Sequence, residues 1–236
     1  MSRAAVGASE AVATFVAGRH AGPEFDDALG TARARLIAAL TALQTPTATS
    51  ELASRALASY GTPLRRVFAE ATTLAAAARG DAPIVAAALA SSELAGRGET
   101  DVIEAIAVGR EVAARLERAL SLDAPWNATA VVAGIGAAAA AARAMGLDVD
   151  AARHAIGLAA TQAAGLGVVD GTPADALACG KAAADAVEAA LLARHGFTAA
   201  SASLEGRRGL AALMASNVDE AALCDDLGRR WISAER

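Results

Sequence analysis

Apolar residues recur every three to four positions along most of the chain, the spacing of helices with one buried face. This periodicity, with the Gly and Pro residues that interrupt it, predicts helices over 9–18, 26–43, 51–59, 64–79, 83–95, 100–120, 172–194, 204–215 and 219–231. No run combines strict apolar/polar alternation with β-branched residues, so the pattern predicts no strand.

The segment 100–120 is the longest amphipathic helix of the prediction. Its apolar positions are expected to face the core: Ile103, Ile106, Ala107, Val112 and Leu116. Its charged positions are expected to lie mostly outside, in contact with solvent: Arg110, Glu111, Arg115, Glu117 and Arg118. A helix with this distribution covers a core with one face only.

The stretch 126–167 has almost no charge and consists mainly of Ala and Gly. It predicts two central helices joined by the turn Met145-Gly146-Leu147-Asp148. Because Ala and Gly add little side-chain bulk, neighbouring helices can approach the backbone of these two closely.

The composition supports an all-α multi-helix bundle. Hydrophobic residues make up 55% of the chain and aromatic residues only 3%, so the core must consist mainly of Ala, Leu and Val. Ala is the best helix former and is depleted in strands. We predict one helical domain over 1–236.

Charge and cysteine usage narrow the environment and the partners. The net charge is −5 and no basic run occurs, which argues against a nucleic-acid partner. The most apolar run, 128–142, ends at Arg143 and is shorter than the ~20 residues that span a membrane. Cys179 and Cys224 lack metal-ligand spacing, so we predict no metal and reduced thiols in the cytoplasm, although a disulfide stays open.

Four segments carry a family resemblance, and they occur in the same order as in the family: GIGAAAAAARAMGLD (134–148), HAIGLAATQAAGLG (154–167), CGKAAADAVEAALLARHGFTAA (179–200) and LEGRRGLAAL (204–213). They resemble the large helical domain of the MmgE/PrpD family, which includes 2-methylcitrate dehydratase, cis-aconitate decarboxylase and iminodisuccinate epimerase. The resemblance implies a homodimer and metal-independent, cofactor-free lyase or isomerase chemistry on small polycarboxylates. It also implies a smaller α+β lid domain after the helical one.

The chain departs from the catalytic motifs of the family. The histidine of a GxHxT segment is replaced by Asn127, and only Thr129 is kept. The lysine of a TKxxHxG segment is replaced by Asp175, and its histidine by Ala178. An upstream acidic segment falls near Thr72, and the chain ends shortly after Trp231, where the lid is expected to begin. These departures favour loss of the family reaction and absence of the lid domain.

Most of the candidate site residues have a structural alternative. Asn127 and Asp175 are the catalytic candidates, but an Asn before a helix is a common cap and an acid in a first turn is stabilising. The remaining candidates, for substrate binding, are Thr72, Trp126, Thr129 and Lys181. Thr129 could share the capping role of Asn127, and Trp126 could belong to the core or to an interface. A pair between Asp175 and Lys181 would instead be the acid–cation pair of a former active site.

The histidines and Gln162 give weaker indications of a functional role. His20, His154 and His195 have no acid or nucleophile at a diagnostic spacing, so none is predicted to be catalytic. Gln162 is kept from the family pattern, and a buried, hydrogen-bonded Gln between helices explains it equally well.

Two functions therefore remain. The first is a diverged lyase or isomerase that acts on a small carboxylic acid by acid–base chemistry. The alternative is a non-catalytic helical scaffold or binding subunit, or half of a split enzyme whose lid-like domain is a separate chain. A second copy, a small carboxylate and a lid-like subunit are the expected partners.

Overall fold

Helices dominate the computed structural model of the chain, which describes residues 7–44, 47–57, 63–77, 80–123 and 125–235. In chain order they are α1 (Ala8–Ala17), α2 (Pro23–Leu43), α3 (Ala48–Leu57), α4 (Pro63–Ala77), α5 (Ala82–Leu94), α6 (Glu99–Ala119), α7 (Ala128–Ala144), α8 (Val149–Gln162), α9 (Pro173–Arg194), α10 (Leu210–Met214) and α11 (Glu220–Cys224). Single 3₁₀ turns lie at Gly167–Val169 and Ile232–Glu235. The all-α prediction is confirmed, and α1 to α9 match the predicted segments within a few residues; residues 58–59 and 78–79 of the prediction lie outside the described ranges.

Helix α7 occupies the centre of the bundle, in contact with α5, α6, α8 and α9. Its alanines 137–142 have no exposed surface at all. A Cβ added to Gly136 would lie 2.7 Å from the carbonyl oxygen of Gly109 on α6, so the two helices touch backbone to backbone at these glycines. The close helix packing predicted from the Ala/Gly-rich sequence is therefore present. The predicted turn between α7 and α8 is present too, with Gly146 at φ +66°.

Three charged residues of α6 correct the predicted orientation of that helix. Arg110, Glu111 and Arg115 are buried rather than exposed, whereas Glu117 and Arg118 do face solvent. The reason is that α2 and the segment after α11 cover this face of α6. Each buried charge has a partner of opposite sign: Glu111 accepts from Arg115 at 2.7 Å, and Arg110 forms ion pairs with Glu117 and Asp81.

The buried charges of α6 hold the carboxyl-terminal segment. Arg115 donates to the carbonyl oxygens of Asp225 at 2.7 Å and Arg230 at 2.8 Å, and Glu111 accepts from the Ser233 N–H at 2.9 Å. Between these anchors, Trp231 packs on Phe25 with ring centroids 5.0 Å apart. The predicted helix 219–231 is therefore wrong beyond α11, because the backbone is extended at Asp225 and has positive φ at Asp226 and Gly228.

Two short strands correct the prediction of no strand. β1 (Leu120–Leu122) pairs antiparallel with β2 (Ala215–Val218). Strands of three and four residues are too short to show an alternating pattern. The predicted helix 204–215 is confined to α10, since tight turns precede it. None of the described helices is both long enough and apolar enough to cross a membrane.

Candidate functional site

The predicted catalytic residues meet where the start of α7, the loop after α8 and the first turn of α9 come together. The Asn127 N–H donates to the Gly165 carbonyl at 3.0 Å, and the Gly167 N–H donates to the Pro125 carbonyl at 2.7 Å. Gly165 has φ +135°, and a Cβ there would lie 3.0 Å from that of Asn127. A glycine is required at this crossing, both for its backbone conformation and for the space.

Asn127 is fully buried, and its side chain is hydrogen-bonded at both ends. Its Oδ1 accepts from the Ala130 N–H at 2.8 Å and so caps α7. Its Nδ2 donates to Asp170 Oδ1 at 2.9 Å and to Asp175 Oδ1 at 2.8 Å. A carboxamide has only two N–H donors, so both are used within the protein.

The two carboxylates bound by Asn127 differ in exposure. Asp175 lies in the first turn of α9, after Pro173, and is only 3% exposed, whereas Asp170 lies in the preceding turn and is exposed. We call Asn127, Asp170 and Asp175 the amide–carboxylate cluster. The structure thus brings the two catalytic candidates into direct contact.

A cleft of about 200 Å³ adjoins this cluster, between α7, α8 and α9. Gly165 lines it, and most of its wall is apolar, from residues such as Ile135 and Ala159. Its polar lining is Gln162, Lys181 and Asp185. Lys181 forms an ion pair with Asp185, one turn further along α9, rather than the alternative pair with Asp175 that the sequence suggested.

The other substrate-binding candidates lie outside this cleft. Trp126 is half-buried and pairs through its backbone with Leu166. Thr129 is half-buried in the first turn of α7. Thr72 is buried on α4, where its hydroxyl donates to the Phe68 carbonyl at 2.7 Å and packs against Gly180 of α9. Of the four candidates for substrate binding, Lys181 alone lines the cleft within the described part of the chain.

Sequence reasoning missed three residues of this region. Asp185 could have been found, because it lies four residues after Lys181 on a predicted helix. For Gln162 the alternative of a buried residue between helices is wrong, because Gln162 is exposed at the cleft. Asp170 has no local signal, because its contact with Asn127 joins residues 43 positions apart.

The three histidines lie outside the cleft and the amide–carboxylate cluster. His154 Nδ1 accepts from the Ala199 N–H at 3.1 Å, and His195 is exposed at the end of α9. His20 lies among aromatic rings near Trp231. Within the described ranges, no group of three or more His, Cys, Asp or Glu side chains is placed to hold a metal ion.

The electrostatic balance of the region is negative. Counted as charged, the cluster and the adjoining cleft hold three carboxylates, Asp170, Asp175 and Asp185, against the single ammonium of Lys181. A ligand that carries several carboxylates would meet net repulsion here. An amide with both N–H groups committed can neither abstract a proton nor donate a further hydrogen bond.

Comparison with known proteins tests the family resemblance directly. No curated protein matches the chain at a significant level. A sequence model of the MmgE/PrpD N-terminal domain matches residues 11–221, which is most of the chain. The match includes the amide–carboxylate cluster and the cleft beside it. The chain therefore belongs to the MmgE/PrpD family.

Proposed function

We propose that this chain is a non-catalytic member of its family, a helical domain that acts as a binding or scaffold subunit. The burial and hydrogen-bond saturation of Asn127 carry this proposal. The family resemblance implies a catalytic histidine at this position, and the side chain found there is fully buried and bonded to two carboxylates and a backbone N–H.

The charges of the region support the same conclusion. The resemblance implies a lysine at position 175 that would hold a substrate carboxylate. The side chain present is the carboxylate of Asp175, and the nearby Lys181 already pairs with Asp185. Both the expected base and the expected anion-binding cation are therefore replaced.

A turnover assay tests the proposal. The purified chain is incubated with 2-methylcitrate, citrate and cis-aconitate, and products are followed by NMR. We expect no product above a protein-free control and no thermal shift with any of the three acids. Turnover that Lys181→Ala abolishes, while Arg194→Ala on the same helix leaves it intact, would refute the proposal; both positions are exposed, so these variants are expected to fold.

A diverged lyase or isomerase acting on a small carboxylic acid is the second candidate. The cleft favours it, because Lys181 and Gln162 place a cation and an amide beside an apolar wall. This function predicts that a monocarboxylate raises the melting temperature and that Lys181→Gln removes the shift. The same titration with Asp148→Asn serves as the control. Asp148 is exposed and precedes the first residue of α8, at the opposite end of that helix from Gln162.

The proposed role also includes a partner chain that covers the surface around the amide–carboxylate cluster. Three apolar side chains near the cluster are exposed: Leu166 at 63%, Val168 at 82% and Leu177 at 48%. Exposed apolar groups of this kind are typical of interaction surfaces. We propose a homodimer, with a separate lid-like subunit as the alternative cover.

Light scattering after size-exclusion chromatography tests the dimer. We expect a mass twice the 23.3 kDa of one chain, and a shift toward the monomer in Val168→Asp. A monomeric wild-type protein would leave the lid-like subunit as the candidate. A cytoplasmic location stays a prediction.

A further inference from the structure

A second, larger cleft lies between the end of α8 and the segment 200–214. Its volume is about 520 Å³, within the roughly 300–1,000 Å³ of small-molecule sites, whereas the cleft at Lys181 has about 200 Å³. Its apolar lining includes Leu210, Leu213 and Met214. It does not include any residue of the amide–carboxylate cluster.

The wall of this cleft is held by short backbone contacts. The Gly206 N–H donates to the Ala202 carbonyl at 2.9 Å, and the Leu210 N–H donates to the Ser203 carbonyl at 2.8 Å. A Cβ added to Gly157 of α8 would lie 2.6 Å from Ser203 Oγ, so the segment packs tightly against α8. The cleft is therefore preformed and needs no folding of its wall on binding.

Arg208 is the charged residue of the lining, and it has no ion pair among the described residues. The nearest carboxylate in sequence, Glu205, is turned away: its Oε2 accepts from the Ser9 N–H at 3.1 Å and from the Ser9 hydroxyl at 2.6 Å. An exposed guanidinium without a carboxylate partner is well suited to bind one from a ligand.

The remaining polar groups of the lining leave this role to Arg208. The Thr161 hydroxyl donates to the Gly157 carbonyl at 2.8 Å, and the Ser203 hydroxyl donates to the Ala200 carbonyl at 2.7 Å. Each hydroxyl has one hydrogen, so neither is left to donate to a ligand carboxylate. Leu213, by contrast, is 67% exposed and offers apolar surface in the same lining.

We propose that this cleft binds a small amphipathic carboxylate, with its head group on Arg208 and its apolar body along Leu210, Leu213 and Met214. The charge balance distinguishes this cleft from the one beside the cluster, where carboxylates outnumber the single ammonium. The site is independent of the proposed function, since it uses none of the residues that carry that proposal.

Octanoate is the probe, titrated into the full chain by isothermal calorimetry. Acetate supplies the head group alone, and 1-octanol supplies a similar apolar body without the charge. We expect saturable binding of octanoate, and binding at least about tenfold weaker for both partial probes, which corresponds to about 1.4 kcal/mol.

Neighbouring arginines give a matched pair of variants. Arg208→Gln removes the cation of the cleft, and Arg207→Gln removes the same charge from the next residue, which is exposed and outside the lining. We expect Arg208→Gln to weaken octanoate about tenfold and Arg207→Gln to change it less than about twofold. Leu213→Ser, an exposed change, should weaken octanoate and leave acetate unaffected.

Three results would overturn the site: no saturable binding by the folded wild-type protein, equal losses in the two arginine variants, or equal affinity for octanoate and 1-octanol. The turnover assay with tricarboxylates reports on the proposed function separately. Failure of one proposal is therefore distinguishable from failure of the other.

Discussion

Truncating Asn127 to Ala is the sharpest perturbation of the candidate site, because one side chain there has two structural roles. It caps α7 through the Ala130 N–H, and it supplies a donor to the buried carboxylate of Asp175. Asn127→Ala removes both contacts and also the bond to the exposed Asp170. The effect on the free energy of unfolding can be estimated from these parts.

Loss of a cap costs about 1 kcal/mol, within a range of about 0.5–2. Leaving a buried polar group short of a partner costs about 1–3 kcal/mol, and more for a charged one. Asp175 is only 3% exposed, so water cannot replace the lost donor easily. The bond to Asp170 adds little, since that carboxylate is solvated. We expect Asn127→Ala to lose about 2–4 kcal/mol.

Asp148→Ala isolates the capping part of this loss. Asp148 caps the next helix, α8, by accepting from the Ala151 N–H at 2.9 Å, and its side chain is exposed. We expect this variant to lose about 1 kcal/mol. Urea unfolding followed by circular dichroism at 222 nm, with an unchanged denaturant slope, gives both values. The difference between the variants measures what the buried carboxylate requires.

Equal losses in the two variants would refute the reasoning, because they would show that the bond to Asp175 contributes nothing. Asn127→Asp adds a pH test. The introduced carboxyl keeps the cap but faces two other carboxylates, which raises its pKa in the folded state. The folded variant then binds more protons than the unfolded one, so its stability should rise as pH falls from neutral toward 5.

Three further predictions concern the bundle. Glu111→Ala leaves a buried arginine without its carboxylate, so we expect a loss of about 3–5 kcal/mol in urea unfolding, against little change for exposed Glu99→Ala on the same helix. Gly136→Ala should lower the free energy of unfolding by about 1–3 kcal/mol, because its Cβ would lie 2.7 Å from a facing carbonyl oxygen. Gly30→Ala has open space around it and should raise that free energy by about 0.5–1 kcal/mol. Equal shifts in melting temperature would contradict this. Burial, and then a nearby guanidinium, lower the pKa of His20 below its ordinary 6.5, so the unfolded chain binds more protons and stability should fall as pH drops below 6.5; His20→Gln should remove this part of the pH dependence.

The helices could be predicted because their signals are local. Proline and glycine mark the ends of α9 at Pro173 and Gly196, and the glycine has the left-handed φ of +87° that is common just after a helix. The polar stripe of α6 could not be assigned correctly in the same way. A charged stripe indicates solvent only if no other element covers it, and here α2 and the segment around Trp231 do. Burial of Glu111 and Arg115 is a property of the assembled bundle, not of the helix.

In the candidate site, too, the local features could be predicted from the sequence and the long-range contacts could not. The cap at Asn127 followed from a carboxamide placed directly before an apolar helix, and the acid in the first turn of α9 followed from Pro173. Their contact did not follow, because it depends on how the loop at Gly165 crosses the start of α7. Close backbone contacts at single glycines decide such crossings, and sequence spacing does not show them.

The two replaced positions are best understood as one structural unit. A carboxylate that is almost fully buried is tolerated only where donors face it, and Asn127 provides one at 2.8 Å. A histidine at 127 with a lysine at 175, as the resemblance implies, would instead bring a base and a cation to this position. Where the resemblance implies groups that act on a ligand, the amide–carboxylate cluster holds groups that bind each other. This arrangement joins the start of α7 to the first turn of α9 through the bond between Asn127 and Asp175. A junction held by groups that bind each other supports the proposed binding or scaffold role.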